Sequence, residues 1–304
     1  MRNVFTYRFK MKNTLVVFLL VAFAISASAQ AGKTLSDAIN YLQAGKTDSA
    51  KVLIDLLMKD SVNQKEAQAN YVYGFVYKEI YKQKESNNKQ SPAREISINA
   101  FEKSVQIDTS KENRDNNFAN IKYLASKFFN DAASSMDTVN YKIAIVDYGS
   151  YKNAIKFINP DFNFSKEDVN FELALASVYT QKYNANKKQN VSFSELARKN
   201  YFSVLAIDSD NYSANYNMGI SYFNEAVDLM SNMDFNIDMV AMNQVQDKSV
   251  TLFKNSLPYM EKAYRLKPNR KETLEGLSGI YFSLHDAQKS NEFKEKLDAL
   301  NKTK

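Results

Sequence analysis

An all-α solenoid is the fold class this sequence predicts, and three observations carry it. Apolar residues recur at three- and four-residue steps along nearly the whole chain, which is the period of an amphipathic helix. Glycine and proline, the residues that interrupt helices, number only seven and four in 304 residues. Short polar clusters separate the helical stretches in pairs, as expected of helical hairpins.

The first element stands apart from that array. Residues 1 to 13 carry Arg2, Arg8, Lys10 and Lys12 and no acid, and the apolar run "TLVVFLLVAFAIS" follows, then Ala27, Ser28 and Ala29. A basic start, a short apolar core and a small-x-small end describe a secretory signal peptide over 1-29, cleaved before Gln30. The run is shorter than the roughly 20 residues that span a bilayer. Removing it takes four of 40 basic residues and none of 34 acidic ones, so the mature chain carries 36 against 34. That balance is no nucleic-acid signature. Without cysteine, an exported chain holds itself together without disulfides and lacks a lipid-anchoring cysteine, which fits a bacterial periplasm.

The tetrapeptide AGKT occurs at Ala31 to Thr34 and again at Ala44 to Thr47. A phosphate-binding loop needs a glycine five residues before the Gly-Lys pair, and Ala27 and Asn40 stand there instead. The second copy joins two amphipathic stretches, Leu35, Ala38, Ile39, Leu42 and Ala50, Leu53, Ile54, Leu57. It therefore reads as a hairpin turn, with Gly45 ending the first helix and Thr47 or Asp48 capping the second. The first copy falls in the lead-in to the array.

Further hairpins follow over 33 to 304. "NYVYGFVY" pairs with "AFEKSVQID", and Phe118, Ile121, Leu124, Ala125 and Phe128 make one face ahead of "YKIAIVDYGSYKNAIKFI". Tyr141, Ile143 and Ile145 alternate, but an orphan strand would leave its edge unpaired, so a helix is expected there. "FELALASVY" precedes Ala197, Tyr201 and Ile207. "NYNMGISY" precedes "LPYMEKAYRLKP", in which Pro258 kinks one long helix. Leu277, Tyr281 and Leu297 belong to the last pair, with the lone histidine, His285, in its turn. The segments "KQKESNNKQSP", "QKYNANKKQN" and "SNMDFNIDMVAMNQVQDK" read as insertions between paired helices.

The inventory of reactive groups is nearly empty. One histidine and no cysteine leave no zinc set and no Ser-His or Cys-His pair away from His285, and no two glycines make a G-x-G turn. No catalytic, metal or cofactor site is expected.

The register of small and aromatic residues resembles the tetratricopeptide repeat (TPR), a helix pair of about 34 residues. Ala38 and Tyr41, Gly74 and Tyr77, Ala176 and Tyr179, Gly219 and Tyr222, and Tyr281 occupy its small and aromatic first-helix positions. The resemblance implies an α-solenoid of about six TPR-like helical hairpins with extended helices and inter-helix insertions. It further implies a non-enzymatic scaffold that holds a protein or peptide in a concave groove lined by first helices. Nucleic acid and nucleotide are not expected partners, and membrane association would come only through a partner. Groove-facing positions carried over from the family are Tyr71, Phe75 and Lys78; Leu173 and Ser177; Tyr216, Ile220 and Phe223; and Phe282. Some relatives clamp a carboxylate with Lys and Asn where Leu173 and Ser177 stand, so an apolar or aromatic segment is the expected occupant. The rings of Tyr71, Phe75, Tyr216 and Phe223 are expected to be exposed. The alternative is a glycan-uptake or outer-membrane assembly component built on the same helix pairs.

Overall fold

The computed structural model describes residues 34–233 and 238–302. The expected signal peptide and the Ala31 to Lys33 part of the first AGKT lie outside the described residues. Among the described residues there is no strand. Six helical hairpins follow one another: α1 (Leu35–Gln43) with α2 (Thr47–Leu57), α3 (Ala67–Ile80) with α4 (Pro92–Ile107), α5 (Arg114–Ser134) with α6 (Tyr141–Ile158), α7 (Ser165–Ala185) with α8 (Val191–Ile207), α9 (Tyr212–Ser231) with α10 (Met239–Leu266), and α11 (Lys271–Ser283) with α12 (Ala287–Lys302). The chain is all-α, a solenoid of paired helices. The helices fall into two compact units, α1 to α6 and α7 to α12.

Local chemistry explains where the helices begin and end. Thr34 caps α1, accepting from the Asp37 N–H at 3.4 Å while the Asp37 carboxylate accepts from the Thr34 N–H at 2.8 Å. The last residue of the first AGKT is thus a capping-box residue of the array rather than lead-in. Gly45 takes φ +70°, and the N–H of Lys46 reaches back to the Tyr41 carbonyl at 2.8 Å. Contrary to expectation, neither Thr47 nor Asp48 caps α2. Lys46 holds the cap position with no side-chain bond, Thr47 donates to Gln83 Oε1 at 2.6 Å, and Asp48 pairs with Lys84. The last hairpin repeats the turn with His285 at φ +62° and the Asp286 N–H on the Tyr281 carbonyl at 2.9 Å.

Two sequence expectations about lengths change. Residues Met239 to Lys248, read as insertion, are the start of α10, because Asp238 caps it by accepting from the Ala241 N–H at 2.8 Å. Pro258 then sits inside this single helix. The segment after Ile80 begins with a π-helical turn, Tyr81–Glu85, that prolongs α3. The inter-helix "insertions" are therefore partly helix extensions.

Close packing uses the small positions. A Cβ on Gly74 would lie 2.9 Å from the Phe101 ring, and one on Gly219 would lie 2.4 Å from Met260 Cγ. In the first unit, α4, α5 and α6 meet at Arg94, whose side chain is 1% exposed. It donates to Asp131 at 2.6 Å and to Asp147 at 3.4 Å, and lies 4.1 Å from the Phe128 ring centre. Burial pushes the Asp147 carboxyl up to about 6 despite the Arg94 charge. Among the described residues, one Asp147 oxygen and the Arg94 Nε have no hydrogen-bond partner.

Candidate binding face

In the first unit, the structure brings three of the expected groove residues together with one that the sequence did not flag. Tyr71, Phe75 and Lys78 follow each other at four- and three-residue steps, so they share one face of α3. The Tyr71 and Phe75 ring centres are 6.2 Å apart, and the Lys78 ammonium sits 3.8 Å from the centre of the Phe75 ring. Lys78 also donates to Asn120 Oδ1 on α5 at 2.9 Å and lies 3.5 Å from Glu79. Burial lowers the Lys78 ammonium below its ordinary value, partly offset by the Glu79 charge. Burial likewise raises the Tyr71 phenol, with Asn120 opposing the shift. Tyr123 of α5 feels the same Glu79 charge, its phenol raised by burial and then by that carboxylate.

These rings are less exposed than expected. Tyr71 and Phe75 are half-buried, and Tyr71 lies 5.9 Å from Phe101, which fills the space left by Gly74. The side chains of this face are held by ring and hydrogen-bond contacts, which lowers the rotamer entropy lost on binding.

The second unit is arranged differently. Tyr216, Ile220 and Phe223 are half-buried and pack on the cluster of Met260, Leu274, Leu277 and Ile280. Phe223 approaches the place a Cβ would occupy on Gly279 to 3.2 Å, and Ile220 does the same at Gly276 to 3.7 Å. The reason is register: α11 carries glycines where neighbouring first helices carry larger residues, and the preceding side chains fill the space. Leu173 and Ser177 are half-buried on α7, with Gln181 donating to Ser177 at 3.4 Å. Only Phe282, in the position equivalent to Phe223, is largely exposed, at 74%. Among the described residues no later first helix covers it. Tyr212, which the sequence did not flag, stacks on Tyr216 at 6.0 Å and donates to or accepts from Thr273 at 2.7 Å.

The face holds no set of reactive groups. Among the described residues no three His, Asp or Glu side chains come together as a metal site. No described helix is long and apolar enough to cross a membrane.

No family model matches the chain, and no curated protein sequence does. Solved structures do resemble it. A monomeric IFIT1 mutant with Gppp-AAAA aligns at 13% identity and TM-score 0.36, over 86% of this chain and 49% of that one. Pseudomonas aeruginosa pilF aligns at 12% identity and TM-score 0.33, over 88% and 89%. The chain spans about half the length of the IFIT1 chain it matches. At these scores the ligand of the IFIT1 structure does not transfer to this protein.

Proposed function

We propose that the protein is a non-enzymatic scaffold, exported to the periplasm or the outer-membrane periphery, that captures a protein or peptide segment on its first-helix face. The observation that supports this best is the patch of Tyr71, Phe75, Lys78 and Asn120. An aromatic pair beside a partly desolvated cation, held by hydrogen bonds across two helices, is the kind of surface on which interface energy concentrates. Export rests on the sequence of residues 1-29, and the absence of an enzyme activity rests on the sparse inventory of reactive groups.

The test begins with crosslinking in cells and mass spectrometry to name the partner. Its affinity is then measured for the wild type and for a Tyr71→Ser, Lys78→Ala variant of unchanged helix content. A loss of tenfold or more supports the reading; equal affinity refutes this face as the site. Retention of the wild type on immobilised glycans, with no protein crosslinked, would favour glycan uptake instead. Sequencing the mature N-terminus tests export separately, with Gln30 expected as the first residue.

A further inference from the structure

We infer that a cleft between the C-terminal ends of α10 and α12 and the start of α11 binds a small amphipathic carboxylate, its apolar body on Leu274, Tyr264 and Leu300 and its charge at Lys296. The cleft has a volume of about 370 Å³ and is lined by these four residues with Pro268, Asn269 and Ala299. That volume lies at the small end of the roughly 300–1,000 Å³ range of ligand pockets. The site is built wholly within the second unit and shares no residue with the face of Tyr71, Phe75, Lys78 and Asn120.

The floor of the cleft departs from the pattern of the other hairpins. Four residues after the cap position, α3, α5 and α9 each carry a buried asparagine: Asn70 after Glu66, Asn117 after Asn113, Asn215 after Asn211. Each side-chain amide donates back to the carbonyl of its cap residue, at 2.8, 3.0 and 2.9 Å. Asn70 and Asn215 reach further into the turn, to the Gln64 and Ser209 carbonyls at 3.1 and 3.0 Å. The amide thus ties the turn between hairpins to the helix that follows. In α11 the same position, four after the cap residue Arg270, holds Leu274, which is 1% exposed. A leucine has no donor for that tie, and it gives the cleft an apolar floor instead. Tyr264 and Leu300 are half-buried and pack on the same cluster as Leu274, while Pro268, Asn269 and Ala299 are exposed, so the cleft opens to solvent.

Charge selects the ligand's polar end. Lys296 is the one charged side chain in the lining, and its ammonium lies 5.2 Å from the centre of the Tyr264 ring and 4.9 Å from that of Phe293. Hydrogen bonding to Glu292 and then to Tyr264 raises its pKa, so it stays cationic at neutral pH. Glu292 accepts from it at 2.5 Å, but that carboxylate is 54% exposed, and such a surface pair holds an ammonium weakly. An ammonium has three donors, so a ligand carboxylate can take the third or replace Glu292. The segments that form the cleft, 264–274 and 292–302, carry seven basic and four acidic side chains, a balance that favours an anion over a neutral or cationic ligand.

The purified protein is titrated with hydrocinnamate and with octanoate, each beside its uncharged primary amide, and leucine methyl NMR signals are followed. Saturable binding of at least one acid, one per chain, at least tenfold tighter than its amide and with shifts at Leu274 and Leu300, is expected. Lys296→Met should abolish the preference for acid over amide. Leu274→Asn, which supplies the amide of the other hairpins, should weaken both acid and amide at least tenfold at unchanged helix content. Should that variant misfold, Ala299→Phe replaces it, since it obstructs the cleft from an exposed position. No saturable binding of either acid, equal affinity for acid and amide in the wild type, or shifts confined to other methyls would overturn the assignment.

Discussion

Ser97 on α4 donates its hydroxyl to the carbonyl of Gly74 on α3 at 2.7 Å, with both residues buried. The fifth hairpin repeats the contact between Ser256 and Gly219 at the same distance. In each case the glycine lets a large second-helix residue, Phe101 or Met260, sit against the first helix. The serine one turn earlier then ties its helix to the glycine carbonyl of the first helix. We expect Ser97→Ala and Ser256→Ala each to cost about 1 kcal/mol, the usual net worth of one hydrogen bond. The two sites share no partner, so urea unfolding of the double variant should give the sum of the single effects.

In the second, fifth and sixth hairpins a first-helix tyrosine fastens the hairpin to the one before it. Tyr77 donates to Asp55 of α2 at 2.8 Å, and Tyr281 donates to Glu261 of α10 at 2.5 Å. Tyr222 serves the same end through its ring, with the Arg198 guanidinium of α8 4.9 Å from its centre. Burial, and then the carboxylate partner, push the Tyr77 and Tyr281 phenols above the ordinary tyrosine range. Tyr281→Phe should cost about 1 kcal/mol while leaving the packed ring in place. Alkaline titration of tyrosine absorbance in the wild type should show a subset of phenols that ionise only as the fold opens.

Protonation of Asp147 should stabilise the first unit. Its carboxyl is raised to about 6 in the fold, mainly by burial, and returns to the ordinary aspartate value of 3.8 when unfolded. The folded state therefore holds an extra proton between these values, and the contribution grows as pH falls from above 6 toward 4. Arg94 opposes the shift, Asp131 and Glu95 reinforce it, and Lys89 opposes it. Asp147→Asn should remove this segment of the pH dependence and be at least as stable as the wild type at pH 7.5. A wild type and variant whose melting temperatures run parallel from pH 5 to pH 7.5 would refute it.

His285 occupies a left-handed backbone position that Gly45 occupies in the first hairpin. A side chain there costs up to about 1–2 kcal/mol, offset in part by the greater freedom of glycine in the unfolded chain. His285→Gly should thus raise stability by about 0.5–1 kcal/mol, measurable as a higher urea midpoint at constant slope. Gly45→Ala should do the reverse.

Much of the fold was legible because it rests on local pattern. Gly74, Gly219 and the tyrosines at 77, 222 and 281 announce themselves through the helical period and their own size. The α6 helix was readable for the same reason, despite the alternation at Tyr141, Ile143 and Ile145. The start of α10 was not, because its polar residues resemble a loop until Asp238 is seen to cap it. Pairings over long separations were hidden as well: Arg94 meets Asp131 and Asp147 from 37 and 53 residues away, and Lys78 meets Asn120 from 42. The exposure expected for Phe223 failed because Gly279 lets its ring approach α11 closely, and that expected for Tyr216 failed because it packs on the cluster of Met260, Leu274, Leu277 and Ile280.

The central claim is that a partner is held on the first-helix face of the first unit. A photo-crosslinking amino acid placed at Phe75 in the intact cell tests it most directly, with the same group at Val52, an exposed second-helix position, as control. The account predicts a discrete protein adduct at position 75 that disappears when Lys78 is also changed to Ala, and none at position 52. Adducts at position 52 with none at position 75 would contradict it.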